Sequence, residues 1–134
     1  MPHISEMFGF YYDTISKCGK FLLNSSDEEI GYCIFEEFDI GAVSFLHVNA
    51  LNELRDEGII DDTIYELSKS LRAQFMNLQG SDIWGVEYVR TSPEWLSIMV
   101  TSDEIRKAIH NRWSESDIRY LLPYCAVKDM EGKS

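Results

Sequence analysis

Apolar side chains in this sequence return at three- and four-residue steps along most of its length, and that period restricts the chain to helices. Phe8, Tyr11, Tyr12, Ile15, Cys18 and Leu22 form the first such stripe. The second, Ile30, Cys33, Ile34 and Phe38, follows Ser26 and the acids Asp27, Glu28 and Glu29. A serine N-cap with a glutamate three residues on is a capping box, and acids in a first turn suit the positive end of the helix dipole. Asp39 and Gly41 are expected to interrupt this helix. A third stripe, Val43, Leu46, His47, Ala50, Leu51 and Leu54, runs toward Gly58, a residue suited to the C′ position. Asp61 can cap a fourth helix that buries Ile64, Leu67, Leu71, Phe75 and Leu78 and stops at Gly80.

Between Ile83 and Val89 two periods compete. Trp84, Val86 and Tyr88 alternate as a strand would, whereas Ile83, Val86 and Val89 fit a short helix. Ser92-Pro93-Glu94 then places a capping serine, a proline at the first helical position and an acid, which is a helix start. Trp95, Leu96 and Met99 are read as its core face. Thr101 or Ser102 is expected to cap the next helix, bearing Ile105, Ala108, Ile109 and Trp113. Ser114 or Ser116 opens a last short one with Ile118, Leu121 and Leu122, which Pro123 closes. The expected fold is all-α: a single-domain orthogonal bundle of about six to eight short helices over residues 1–134, with 126–134 a frayed tail. With 45% apolar residues in 134, the chain can fill one core.

Several function classes fall away on inspection. No apolar run approaches the roughly 18 residues of a membrane span, and Met1–Gly9 lacks the basic start and apolar stretch of a signal peptide. A cytoplasmic protein is expected. Cys18, Cys33 and Cys125 contain no Cys-x-x-Cys pair, and the first two read as small buried hydrophobes on helix faces. His3, His47 and His110 have no second ligand one helical turn away. His47 reads as a satisfied core residue and His110 as a surface residue near a helix C-terminus. No glycine-rich phosphate loop or serine-nucleophile elbow occurs. Asp56–Asp61 faintly resembles a calcium loop, but Gly58 at the sixth position would put Arg55 at the third and Ile64 at the twelfth, where oxygens are required. Glu36 and Glu37 diverge by about 100° around a helix. The expectation is a binding protein with no catalytic residue, no metal and no cofactor.

Charge is more informative once it is located. Residues 1–23 sum to zero, and residues 67–134 hold nine acids against nine bases. Residues 24–66 hold twelve acids and one base, Arg55, so this third of the chain carries the whole net charge of −11. A field of one sign steers partners of the other. A basic partner is expected, such as a nucleic-acid-binding protein or a nuclease, and direct binding of nucleic acid is not, since phosphates require Lys and Arg.

With its acidic helices, the Gly58 stop, Trp84, Arg90 and the Ser92-Pro93-Glu94-Trp95 block, the chain resembles the small helical immunity proteins of bacterial contact-dependent growth-inhibition and related polymorphic-toxin systems. The resemblance spans roughly residues 20–115 and lies in size, style and charge. It implies a protein that binds a basic RNase or DNase toxin domain and masks its active site or substrate groove. The partner-binding residues it implies are Glu36, Glu37 and Asp39 at the end of the second helix, and Glu53, Asp56 and Glu57 at the end of the third. Acids at helix C-termini are disfavoured by the dipole, so local stability does not account for them there. Asp27, Glu28, Glu29, Asp61 and Asp62 sit at helix starts and are explained by capping. Trp84, Trp95 and Trp113 read as core, and Arg90 as a structural ion-pairing residue. The alternative role is an acidic adaptor or regulatory subunit of a nucleic-acid enzyme; a small enzyme relying on a carboxylate or His47 comes third.

Overall fold

Each helix start marked by Ser26, Asp61 or Ser92 is realised by that residue's own side chain. In the computed structural model, which describes residues 4–114, Ser26 accepts from the Glu29 amide at 3.2 Å and Asp61 from the Ile64 amide at 2.8 Å. Ser92 accepts from the Glu94 amide at 3.2 Å, with Pro93 opening the helix. Each bond satisfies an amide that a helix start leaves without an internal partner. Gly58 and Gly80 follow helix ends with φ of 77° and 74°, a region that suits glycine.

Six helices result, with no strand among the described residues. They are α1 (Ile4–Ser16), α2 (Asp27–Ile30 continuing through Gly31–Phe38 and Asp39–Ser44), α3 (Val48–Asp56), α4 (Asp62–Leu78), α5 (Val86–Val89) and α6 (Pro93–Arg112). A 3-10 turn, Lys20–Asn24, links α1 to α2. The chain is therefore all-α, as its periodicity predicts. The proposed last helix around Ile118, Leu121, Leu122 and Pro123, the tail 126–134, Cys125 and His3 lie outside the described residues.

Four boundaries differ from expectation. The first helix ends at Ser16, so Cys18 lies in a turn and Leu22 on the 3-10 segment. Asp39 and Gly41 do not interrupt α2, which runs to Ser44. Val43 consequently belongs to α2, and α3 begins at Val48 with His47 as its cap, the ring nitrogen Nδ1 accepting from the Asn49 amide at 3.2 Å. Thr101 and Ser102 cap nothing, because α6 runs unbroken through them. Their hydroxyls are satisfied elsewhere: Thr101 donates to the Ser97 carbonyl one turn back, and Ser102 to the Ile15 carbonyl of α1, both at 2.8 Å. Of the ambiguous Ile83–Val89 stretch, Val86–Val89 is a short helix and 83–85 a turn, with no strand.

The middle of α2, Gly31–Phe38, is wound as a π-helix, a form with i→i+5 bonds and a wider turn. The fully buried residues Ile30, Ile34, Phe38 and Ala42 are spaced by four throughout and share one face of the continuous helix. Cys33, one step short of the spacing, is only partly buried.

The core is one cluster. α4 and α6 pack antiparallel: Gln74 meets Ser97 and Thr101 near one end, while Arg112 and Trp113 donate to the Gly58 and Ile59 carbonyls at the other. Trp95, buried completely, donates its indole N–H to the Ile83 carbonyl at 2.8 Å and packs with Phe35, Phe75 and Trp84. Leu96, expected in this core face, is exposed instead. α1 lies against both long helices, Tyr11 sharing a 2.6 Å hydrogen bond with Ser68 of α4 while Ile15 accepts from Ser102 of α6.

α1 and α2 touch most closely where a Cβ on Gly41 would fall against the Thr14 side chain, 2.8 Å from its Cβ. Gly41→Ala should therefore destabilise the fold by about 1–3 kcal/mol through overpacking, although glycine-to-alanine in an open helix gains about 1 kcal/mol. Chemical denaturation reads the sign directly. A stabilised variant would mean that the two helices do not meet at this point.

Candidate functional site

α4 separates the six carboxylates named from the sequence into two groups. Asp39 accepts from the Gln79 amide group at 3.0 Å, beside the C-terminal end of α4. Glu37 accepts from the Tyr32 hydroxyl at 2.7 Å, and Glu36 is exposed on the same helix. Glu53, Asp56 and Glu57, all exposed, lie on or just after α3 and lead into the N-terminal end of α4. α4 has 17 residues, so the two groups lie on the order of 25 Å apart at 1.5 Å per residue. They form two acidic ends. Glu36, Glu37 and Asp39 also lie inside α2 and not at its C-terminus. Only Asp56 and Glu57, with Glu53 a turn earlier, carry the dipole penalty on which their selection rested.

Few of these charges are neutralised among the described residues. Of the twelve acids in residues 24–66, Asp27 alone forms an ion pair among the described residues, with Arg90 at 2.6 Å. Arg90 also donates to the Ser25 carbonyl at 2.6 Å, so it ties α2's start to the segment after α5, as its structural reading expects. Arg55, the one base of that stretch, lies over the Tyr65 ring at 4.0 Å rather than against a carboxylate. Eleven of these carboxylates thus have no ion-pair partner among the described residues, and their field acts on an approaching molecule.

One surface combines this charge with apolar area. Tyr32, Glu36, Ile40 and Val43 follow one another along the outward side of α2, with Ile40 63% and Val43 51% exposed. Phe10 of α1 stacks on Phe45, which follows the end of α2, with centroids 4.9 Å apart. Sequence reasoning missed Tyr32, Ile40 and Val43, placing Val43 in the core of the next helix. The readable signal was the repeated spacing of four, which sets Tyr32, Glu36 and Ile40 in a line parallel to the buried Ile30, Ile34 and Phe38.

The reactive side chains have structural surroundings. Burial pushes the Cys18 thiol up to about 12 against the smaller opposing effects of Arg106 and Ser102, which leaves it protonated and unreactive at neutral pH. Burial likewise raises the Tyr11 hydroxyl, outweighing its bond to Ser68. Hydrogen bonding to Glu37 raises Tyr32, and the Ser92 hydroxyl lowers Glu94. His47 is half-buried and spends Nδ1 on its cap, so it is neither a core residue nor a free base. His110 is exposed in the last turn of α6, where Nε2 meets the Tyr12 hydroxyl at 2.8 Å. Among the described residues no group of three or more His, Cys, Asp or Glu is placed to hold a metal ion. A depression between α4 and α6, lined by Gln74, Asn77, Leu78, Glu94 and Ser97, has a volume of about 190 Å³, and a more open one at the start of α4, lined by Asp62, Thr63, Glu66 and Leu67, has about 460 Å³. No described helix is long and apolar enough to cross a membrane.

No protein-family model, curated protein or solved structure matches this chain.

The buried thiol sets an alkaline limit to stability. Cys18 has a folded pKa near 12 against an ordinary value of 9.0, so its contribution is intact below about pH 9 and is lost as pH rises toward 12. Tyr11 acts with the same sign from its ordinary value of 10.0 upward. Cys18→Ala should cost about 1 kcal/mol at pH 7 yet flatten the decline of the urea midpoint above pH 9. Parallel declines in variant and wild type would place the alkaline transition elsewhere.

Proposed function

We propose that this protein is a stoichiometric inhibitor of the immunity type, which binds a cognate basic toxin domain of the RNase or DNase class and covers its active site or substrate groove. The observation that carries this reading is the uncompensated charge: twelve acids in one third of the chain, one of them ion-paired among the described residues. Repulsion among them disfavours the compact state. Capping accounts for Asp27, Glu28, Glu29, Asp61 and Asp62 but not for Glu36, Glu53, Asp56 or Glu57, which are exposed. A partner surface rich in Lys and Arg would offset that repulsion on binding and would be drawn in over a Debye length. A nuclease groove has that chemistry because it must hold phosphates. The inhibitor acts by occupancy, one copy per toxin, without turnover.

The test is co-expression with the toxic C-terminal domain encoded beside this chain's reading frame, followed by stopped-flow association of the purified pair. Wild type should restore growth. Glu36→Lys, and separately Asp56→Lys with Glu57→Lys, reverse charge at one end each. The reversal at the docking end should slow association about tenfold at low salt, with a smaller effect at high salt. Folding stability should move by less than about 0.5 kcal/mol. Absence of growth rescue, or association indifferent to both reversals and to salt, would refute the reading.

A further inference from the structure

We infer that the outward side of α2 is the docking ridge, and that its occupant is a cationic amphipathic segment: apolar side chains flanked by Lys or Arg. This rests on the inhibitor reading and narrows it to one end of the molecule and one chemistry. The ridge is Tyr32, Glu36, Ile40 and Val43, at steps of four, four and three. Its apolar members are 50%, 63% and 51% exposed, and Ile40 is the most exposed large hydrophobic side chain of the described residues. Scattered single exposures of this kind are ordinary. A row of three on one helix is instead of the kind that anchors helix recognition.

Charge selects the occupant. Glu36, Glu37 and Asp39 interleave with the apolar anchors. Lys17, which lies 6.0 Å from the Tyr32 ring, is paired with Asp13 at 3.6 Å, so the border is not basic. A second copy docking on the same patch through a two-fold axis would bring these acids against themselves. A basic segment brings ammonium and guanidinium groups to them and leaves its own apolar side for Ile40 and Val43. Among the described residues the other acidic end, at Glu53, Asp56 and Glu57, has no comparable row: their exposed large hydrophobics are on α1, the 3-10 turn, α2, α5, α6 and at Val48, the opposite end of α3. Steering can involve both ends, but only the α2 end adds apolar burial, which sets the dissociation rate.

Two fluorescein-labelled peptides of equal length and charge test this, one with Leu at helical spacing (i, i+3, i+4, i+7) among Lys and one with Ser at the same positions, titrated against the whole chain at low salt. The Leu/Lys peptide should bind at least about tenfold more tightly than the Ser/Lys peptide, and its amide shift changes should map to α2. Ile40→Ser with Val43→Ser alters exposed positions, and its fold is checked by circular dichroism. It should abolish the tenfold margin while leaving Ser/Lys affinity unchanged. Equal affinities of the two peptides for wild type, an unchanged margin in the variant, or shifts confined to α3 and the start of α4 would each overturn the ridge. Those outcomes are independent of the growth assay: a failed ridge with intact rescue leaves a purely electrostatic inhibitor, whereas a working ridge without rescue refutes the inhibitor reading alone.

Discussion

The antiparallel pairing of α4 and α6 is the contact on which the other elements depend. It carries the largest aromatic cluster, with Phe75 facing Trp95, and it is closed at both ends by side chains bonded to backbone: Trp95 to Ile83 at one end, Arg112 and Trp113 to Gly58 and Ile59 at the other. α1 is then fixed to the pair by two buried hydroxyls, Ser68 from α4 and Ser102 from α6. A buried hydroxyl without a partner costs on the order of 1–3 kcal/mol, so these two bonds specify one seating for α1. α2 is seated in turn by the contact of Gly41 with Thr14 and by Arg72, which donates to the Ala42 carbonyl.

Helix starts were legible because their signals are local: Ser26, Asp61 and Ser92 each satisfy an amide two or three residues on, whatever surrounds them. The same residue types misled where tertiary partners compete. Ser102 has the look of a cap, but its hydroxyl belongs to Ile15, eighty-seven positions away, and no local pattern encodes that bond. Asp39 and Gly41 look like a break for a similar reason. Asp39 is satisfied by Gln79, and Gly41 is there because another helix passes against it. Leu96 was assigned to the core by adjacency to Trp95, yet neighbours on a helix point about 100° apart and only Trp95 faces inward.

The candidate site was half legible. The concentration of acid in residues 24–66 is a property of the sequence alone, and so is the basic character of a partner it would attract. Its division into two ends is not, because it depends on α4 standing between them. Nor was the apolar row on α2 visible while Val43 was counted among buried residues. The spacing of four in Ile30, Ile34, Phe38 and Ala42 contained the information, since it sets Tyr32, Glu36 and Ile40 in a second row turned away from the buried one.

The two rows of α2 point apart. Ile30, Ile34, Phe38 and Ala42 face the core, and Tyr32, Glu36 and Ile40, offset by two, are exposed together on the other side. The backbone beneath is held by Phe38 against Phe75 and by Gly41 against Thr14. A ridge so supported loses little conformational freedom when a partner covers it, which is where affinity beyond simple charge attraction originates. The exposed apolar side chains on this acid-flanked helix contribute nothing to the chain's own core, and the docking proposed above is the role in which covering them would gain free energy.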